Sequence, residues 1–291
     1  RINLGDAYRA AGRHGEAIAL HESTSKRYEA QLGPDHVRTL NSSTHLAASY
    51  QLIGRLSDAI TLYGTTLKRL ESKLGPDHPN TLTCRNNLAL AKRAFGQNDD
   101  AVVLYETTLK VMESKLGPDH PDTLTCRNNL AVAYRVAGRA AESIPLLEST
   151  LKMREAKLGP TDPDTLKTRN NLALAYRFAG RTDEAITLFE STLKLMEAAP
   201  VPEENDVLGL RINLAAAYMT VGRASEGIPI FESSLKRLET RLGRDHPTTI
   251  RARNGLAKSY EAVGRASDAE ALNQAARQPA ATNTPTKKQA P

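Results

Sequence analysis

The sequence predicts an all-α protein, a right-handed α-solenoid (superhelix) of tandem helix-turn-helix units. Three observations predict it. First, one phrase returns every 42 residues: LGPDHPNTL at 74–82, LGPDHPDTL at 116–124 and LGPTDPDTL at 158–166. Variants of it stand at 32–40 (LGPDHVRTL) and 242–250 (LGRDHPTTI), and a fixed period of 20–50 residues marks a repeat architecture. Second, the apolar residues inside each copy recur at helical spacing. Third, Gly and Pro fall where one helix must stop and the next begin.

The copy starting at Gly117 shows the elements in order. Gly117-Pro118 ends the preceding helix, since proline can neither donate its N–H nor tolerate the turn before it. Pro121 suits a first helical position and pushes His120 out of the α region. A first helix, A, is expected from about Pro121 to Ala137, with Leu124, Leu130, Ala131 and Tyr134 on one buried stripe. Gly138 is placed to take the left-handed conformation after it. A second helix, B, is expected from about Ala141 to Lys157, with Ile144, Leu147, Leu151 and Leu158 facing inward. In the next copy Thr182-Asp-Glu supplies a cap and early acidic residues for helix B.

Repetition sets the remaining boundaries. An incomplete first unit holds part of helix A (1–11) and helix B (14–31). Full units start near Gly33, Gly75, Gly117, Gly159 and Val201, and a last one starts at Gly243. The solenoid is expected over 1–277, about seven units. The Pro/Thr/Lys-rich residues 278–291 have little to bury and read as a disordered tail. Three irregularities interrupt the pattern. Pro145 and Pro229 sit one turn into helix B, where each loses at most one hydrogen bond and a small kink is expected. Lys92 stands where other copies have Tyr. The junction APVPEENDVLGL lacks the recurring phrase but keeps the spacing.

Composition excludes several classes. The net charge of +6 is spread along the chain, without a Lys/Arg run or interleaved aromatics, so a nucleic-acid partner is not expected. No stretch of 18 apolar residues and no signal peptide occurs, so a cytoplasmic location without membrane contact is expected. The opening RINLGDAYRAAGR matches the middle of a helix A, which suggests a piece of a longer protein. Cys84 and Cys126 share one repeat position with Ser42, Thr168 and Ala252 and read as small buried residues rather than a disulfide. His36, His78, His120 and His246 precede helices, 42 residues apart or a multiple of it, without partners at ligand spacing; capping, not metal binding, is expected. No Gly-rich phosphate loop, nucleophile elbow or HExxH is present, so neither catalysis nor a cofactor is expected.

The pattern N-L-A-x-x-Y-x-x-x-G-R-x-x-E-A-I-x-L-x-E at 171–190 resembles the tetratricopeptide repeat, and the 42-residue period with LGPDHPDTL and NNLA resembles its kinesin light chain subtype. The resemblance covers 1 to about 277. It implies a module for protein or peptide recognition. Arrays of this subtype are common in bacterial, notably actinobacterial, proteins, where they often follow a nucleotide-binding STAND/NB-ARC module as its sensor. A fused nucleotide-binding module is therefore compatible with the full-length parent. The repeat's usual Trp is replaced by Arg85, Arg127, Arg169, Arg211 and Arg253. Their stems are expected over the Tyr of the same helix, as Arg127 over Tyr134, with the guanidinium reaching water or a carbonyl.

Helix geometry separates two faces. With Leu130 and Tyr134 buried, Thr125, Asn128, Val132, Arg135 and Val136 project from the opposite side. In tetratricopeptide arrays that side lines the concave surface. The candidate partner-binding residues there are Asn86, Leu90, Arg93, Asn128, Val132, Arg135, Asn170, Leu174, Arg177 and Phe178. Amides can hold a ligand backbone without reading sequence. Guanidinium groups can take carboxylates in pairs of hydrogen bonds, favouring a protein or peptide with acidic residues. The second amide, at Asn3, Asn87, Asn129, Asn171 and Asn213, is expected to bond to a neighbouring helix. The function this supports is recognition of a protein segment, as the sensor array of a larger signalling protein. The alternative is a scaffold that self-associates through its ends, where Ile2 and Leu4 would stand exposed.

Overall fold

The computed structural model describes residues 2–198 and 203–277. The tail at 278–291 and residues 199–202 of the acidic junction lie outside the described residues. Within them the chain forms fourteen α-helices and no strand. They are α1 (Ile2–Ala10), α2 (His14–Leu32), α3 (Val37–Leu52), α4 (Leu56–Leu74), α5 (Pro79–Ala94), α6 (Asn98–Lys115), α7 (Pro121–Val136), α8 (Ala140–Leu158), α9 (Pro163–Phe178), α10 (Thr182–Glu197), α11 (Glu204–Thr220), α12 (Ala224–Leu242), α13 (Pro247–Ala262) and α14 (Ala266–Arg277). Odd-numbered helices are the A helices and even-numbered ones the B helices. Expected boundaries and observed ones differ by one residue at α7 and α8.

Local chemistry explains both turns. Gly138, between α7 and α8, has φ 79°, and Gly159, after α8, has φ 86°. Both values belong to the left-handed region that costs glycine little and other residues more. A helix starts repeat one device: the Nδ1 of His78, His120 and His246 accepts the backbone N–H two residues on, at 3.1–3.2 Å. Where the phrase carries Asp162 instead, its Oδ1 accepts the Asp164 N–H at 2.9 Å and the Thr165 N–H at 3.2 Å. Capping is thus what the loop histidines do. Pro145 and Pro229 lie inside α8 and α12, and both helices continue through them.

The chain divides into two compact units, 1–175 and 176–291, with the division inside α9. In the first, Leu40, Ala47, Ala59, Tyr63, Leu70, Cys84 and Leu88 make one core cluster across α3, α4 and α5. Leu82, Ala89, Ala101, Tyr105, Met112, Cys126 and Leu130 make the next, across α5, α6 and α7. Alanines with no exposed surface, such as Ala89 and Ala101, stand in these clusters among bulky Tyr and Leu. Fully burying each Leu contributes about 1.5–3 kcal/mol. In the second unit Phe231 of α12 anchors a cluster with Leu208, Ile212, Leu235, Leu238, Leu256 and Tyr260. The described helix contacts join elements one or two places apart in the chain. No helix among the described residues is long and apolar enough to cross a membrane.

Candidate functional site

Helical register sets Asn86, Leu90 and Arg93 on one stripe of α5, and Asn128, Val132 and Arg135 on the same stripe of α7. Asn170 and Leu174 repeat it on α9, whose last turn carries Arg177 and Phe178. Leu90, Val132 and Leu174 are half-buried, so each keeps apolar surface available. Phe178 is 57% exposed, with the Arg177 guanidinium 4.9 Å from its ring centre. Arg93, Arg135 and Arg177 are half-buried rather than extended into water. Arg93 lies beside the buried Tyr105 hydroxyl: burial pushes that phenol's pKa up, and the Arg93 charge partly offsets it. In the second unit burial lowers the pKa of Arg177, and the nearby charge of Arg251 lowers it further. Arg251 holds the register of Lys167 and Thr125, and that register is the sequence signal for its place on this face.

The amides behave differently from a free ladder. Asn129 Nδ2 donates to Asn86 Oδ1 at 3.4 Å, and Asn171 Nδ2 donates to Asn128 Oδ1 at 3.0 Å. The second amide of one copy therefore holds the first amide of the copy before it, as expected for Asn129 and Asn171. Asn128, read from its register as open to a ligand, is instead 3% exposed. The reason is geometric. Neighbouring A helices approach closely enough for two amides one residue apart in phase to meet across the seam. Asn86 likewise spends its carbonyl on Asn129 but stays half-buried, as does Asn170.

A second correction concerns the arginines in place of Trp. Arg127 does not lie over Tyr134. Its Nε donates to Glu113 at 2.8 Å, fourteen residues back on α6. Arg85 pairs with Glu71 at 2.6 Å, Arg169 with Glu155 at 2.6 Å and Arg253 with Glu239 at 2.8 Å; Arg211 pairs with Glu197. The cation over Tyr134 is Arg139 from the turn, 4.4 Å from the ring centre, and Arg139 Nε also donates to Glu142 at 2.7 Å. The Tyr134 hydroxyl donates to Glu106 on α6 at 2.6 Å. The same staple recurs around Tyr50, Tyr218 and Tyr260. Helical register favours Arg127, which shares a face of α7 with Tyr134, over Arg139, which lies in the turn beyond the helix. The fourteen-residue Arg–Glu spacing, present five times, is the sequence signal for this pairing.

Cys84 and Cys126 are fully buried and unbonded to each other, their thiols directed at the Tyr63 and Tyr105 carbonyls. Burial pushes both thiols up to about 12, which keeps them protonated. No group of three or more metal-ligating side chains occurs among the described residues.

A family model described as "Tetratricopeptide repeat" matches residues 1–72, 43–114, 93–156, 128–198 and 206–278. Among solved structures, the nearly identical TPR-like repeats of a Podosopora anserina protein described as a kinesin light chain are similar at 29% identity and TM-score 0.60. The match covers 67% of this chain and 92% of that one. BtubC (BKLC) from P. vanneervenii is 21% identical, with TM-score 0.64 over 80% of this chain and 94% of that one. The apo quorum sensor NprR from B. thuringiensis is 18% identical, with TM-score 0.74 over 94% of this chain and 73% of that one. NprR has also been solved in complex with its cognate peptide NprX. None of the curated proteins matches the chain in sequence.

Proposed function

The chain belongs to the tetratricopeptide repeat family of protein-interaction modules, and we propose that it holds a protein or peptide segment bearing acidic residues against its A-helix face, as the recognition array of a larger signalling protein. The observation that carries this reading is the register of cations over an apolar floor. Arg93 and Arg135 follow Leu90 and Val132 by three residues on α5 and α7, and Arg177 follows Leu174 on α9. Half-burial favours function here, because a side chain already packed loses little freedom on meeting a carboxylate. Asn86 and Asn170 are half-buried and would add contacts to a ligand backbone; Asn128 is withdrawn into the seam. In a STAND/NB-ARC-type parent such an array would sense its ligand for a nucleotide-binding module.

Calorimetry with a synthetic peptide of alternating Glu and Leu tests the reading. Affinity is expected to fall as salt rises, since exposed charges are screened over about 10 Å at 0.1 M. Arg135→Glu is expected to weaken binding by roughly tenfold or more, replacing attraction with repulsion. Met219→Glu, at the same register where α11 lacks the cation, is expected to weaken it less. Equal effects of the two, or affinity indifferent to salt, would place the ligand elsewhere.

A further inference from the structure

The groove between α2 and α4 is built differently from its successors. In five later copies an arginine from helix A fills this register and pairs with the glutamate fourteen residues before it. Arg127 shows the filling directly. It bonds Glu113 on α6, and its guanidinium also reaches Met153 Sδ on α8 at 3.6 Å, so the side chain spans the groove. The first full copy has Ser43 in place of that arginine. The incomplete unit before it has Ser25 where the later B helices have Leu67, Leu109, Leu151, Leu193 and Leu235. The two serine hydroxyls meet at 3.3 Å. The truncations leave a cavity of about 640 Å³ floored by Leu40 and Leu46, within the roughly 300–1,000 Å³ of small-ligand sites.

The missing arginine's partner is still present. Glu29 lines the cavity in the register of Glu71 and Glu113, and no ion pair among the described residues reaches it. The other charges at the cavity, Lys26 apart, are engaged. Arg55 Nε donates to Asp58 at 2.6 Å and stacks 4.2 Å from the Tyr50 ring centre. Tyr50 donates to Glu22 at 2.7 Å. Arg69 bonds the Pro34 carbonyl at 3.4 Å and faces Asp35 at 3.7 Å. Lys26 holds the register of Lys68 and Lys110, beside which Glu71 and Glu113 still take an arginine.

We propose that this cavity receives an arginine side chain from a partner protein, its guanidinium on Glu29 and its stem over Leu40 and Leu46. The protein itself shows five times which side chain this register accepts and which carboxylate it meets. A planar guanidinium can reach Glu29 and the serine hydroxyls together, whereas an ammonium is a single point charge. The site lies on the side of α3 that carries Leu40, Ser43, Leu46 and Tyr50. Thr44, Ala48 and Gln51, in the register of Asn86, Leu90 and Arg93, lie on a neighbouring stripe, and none of them lines the cavity. It therefore stands or falls independently of the A-helix face.

The test is a backbone amide NMR titration of the full chain with N-acetyl-argininamide and, separately, N-acetyl-lysinamide. Saturable shifts are expected at 25–29, 43–46 and 62–69 with the arginine probe, at millimolar affinity, and weaker binding with the lysine probe. Ser43→Arg supplies the side chain internally and is expected to abolish these shifts while holding or raising Tm. Glu29→Gln, which preserves volume, is expected to weaken binding about tenfold and decides the matter even if S43R folds poorly. Arg135→Glu is expected to leave the titration unchanged. Shifts that persist in E29Q, that map elsewhere, or that fail to saturate by about 100 mM would overturn the proposal, as would equal binding of the lysine probe.

Discussion

Leu130 and Asn128 sit two residues apart on α7 and are both 3% exposed, for different reasons. Leu130 belongs to the core between α6 and α7. Leu130→Ala is expected to cost roughly 2–5 kcal/mol by leaving a cavity, measured by chemical denaturation. Asn128→Ala removes the acceptor of the half-buried Asn171 amide and is expected to cost about 0.5–1.5 kcal/mol, the net worth of one hydrogen bond. A face assignment from periodicity alone would have put it near zero. Ionisation gives a second residue-scale test. Tyr50, Tyr134, Tyr218 and Tyr260 are pushed up to about 12, first by burial and then by their bonds to Glu22, Glu106, Glu190 and Glu232. Their folded values exceed the unfolded value of about 10. The stability they contribute is therefore complete below about pH 10 and is lost as pH rises through about 12. Ultraviolet titration is expected to show these phenols ionising together with loss of helical signal, rather than at pH 10 in a folded protein.

At the scale of the element, the A–B hairpin is closed by a staple: a tyrosine, a glutamate on the preceding B helix and an arginine in the turn. The staple between the first and second full copies shows that the parts depend on one another. Lys92 replaces the tyrosine, Gly64 the glutamate and Gln97 the arginine, all in one staple. A substitute appears: Lys92 Nζ pairs with Asp100 at 2.5 Å, and Asp100 holds the register of Glu142. The tyrosine hydroxyl without its carboxylate would lose a charged hydrogen-bond partner, and the arginine without the ring would lose its stacking surface. Rebuilding the staple with Gly64→Glu, Lys92→Tyr and Gln97→Arg is expected to be non-additive. The triple variant should exceed the sum of the single changes by about 0.5–3 kcal/mol in denaturation. Additive effects would mean that the three residues act separately.

Over the whole molecule, the described contacts join helices one or two places apart in the chain. Stability in such an array is a sum of unit and neighbour terms. A lesion should therefore act locally. Leu130→Ala is expected to raise amide exchange in α6 and α7 and in the helices packed on them, while α12 and α13 keep their protection. Uniform loss of protection along the chain would contradict the nearest-neighbour picture.

The helices, their turns and most of the core stripe were legible without coordinates; Leu158, expected to face inward, is instead 52% exposed at the end of α8. Each depends on residues close together in the chain: Pro121 and His120 at a start, Gly138 and Gly159 at stops, Leu124 and Leu130 on one stripe. Repetition then wrote the same message several times over. The polar pairings were not legible in this way. Arg127 finds Glu113 rather than Tyr134, Arg139 finds Tyr134, and Asn171 finds Asn128, at separations of 14, 5 and 43 residues. Which of several reachable groups a long side chain meets depends on the rotation and spacing of neighbouring helices, and periodicity within one helix carries neither. For the same reason Ser43 reads in the sequence as one more polar residue. Packing α3 between α2 and α4 turns it into a vacancy with the glutamate of a lost ion pair at its edge.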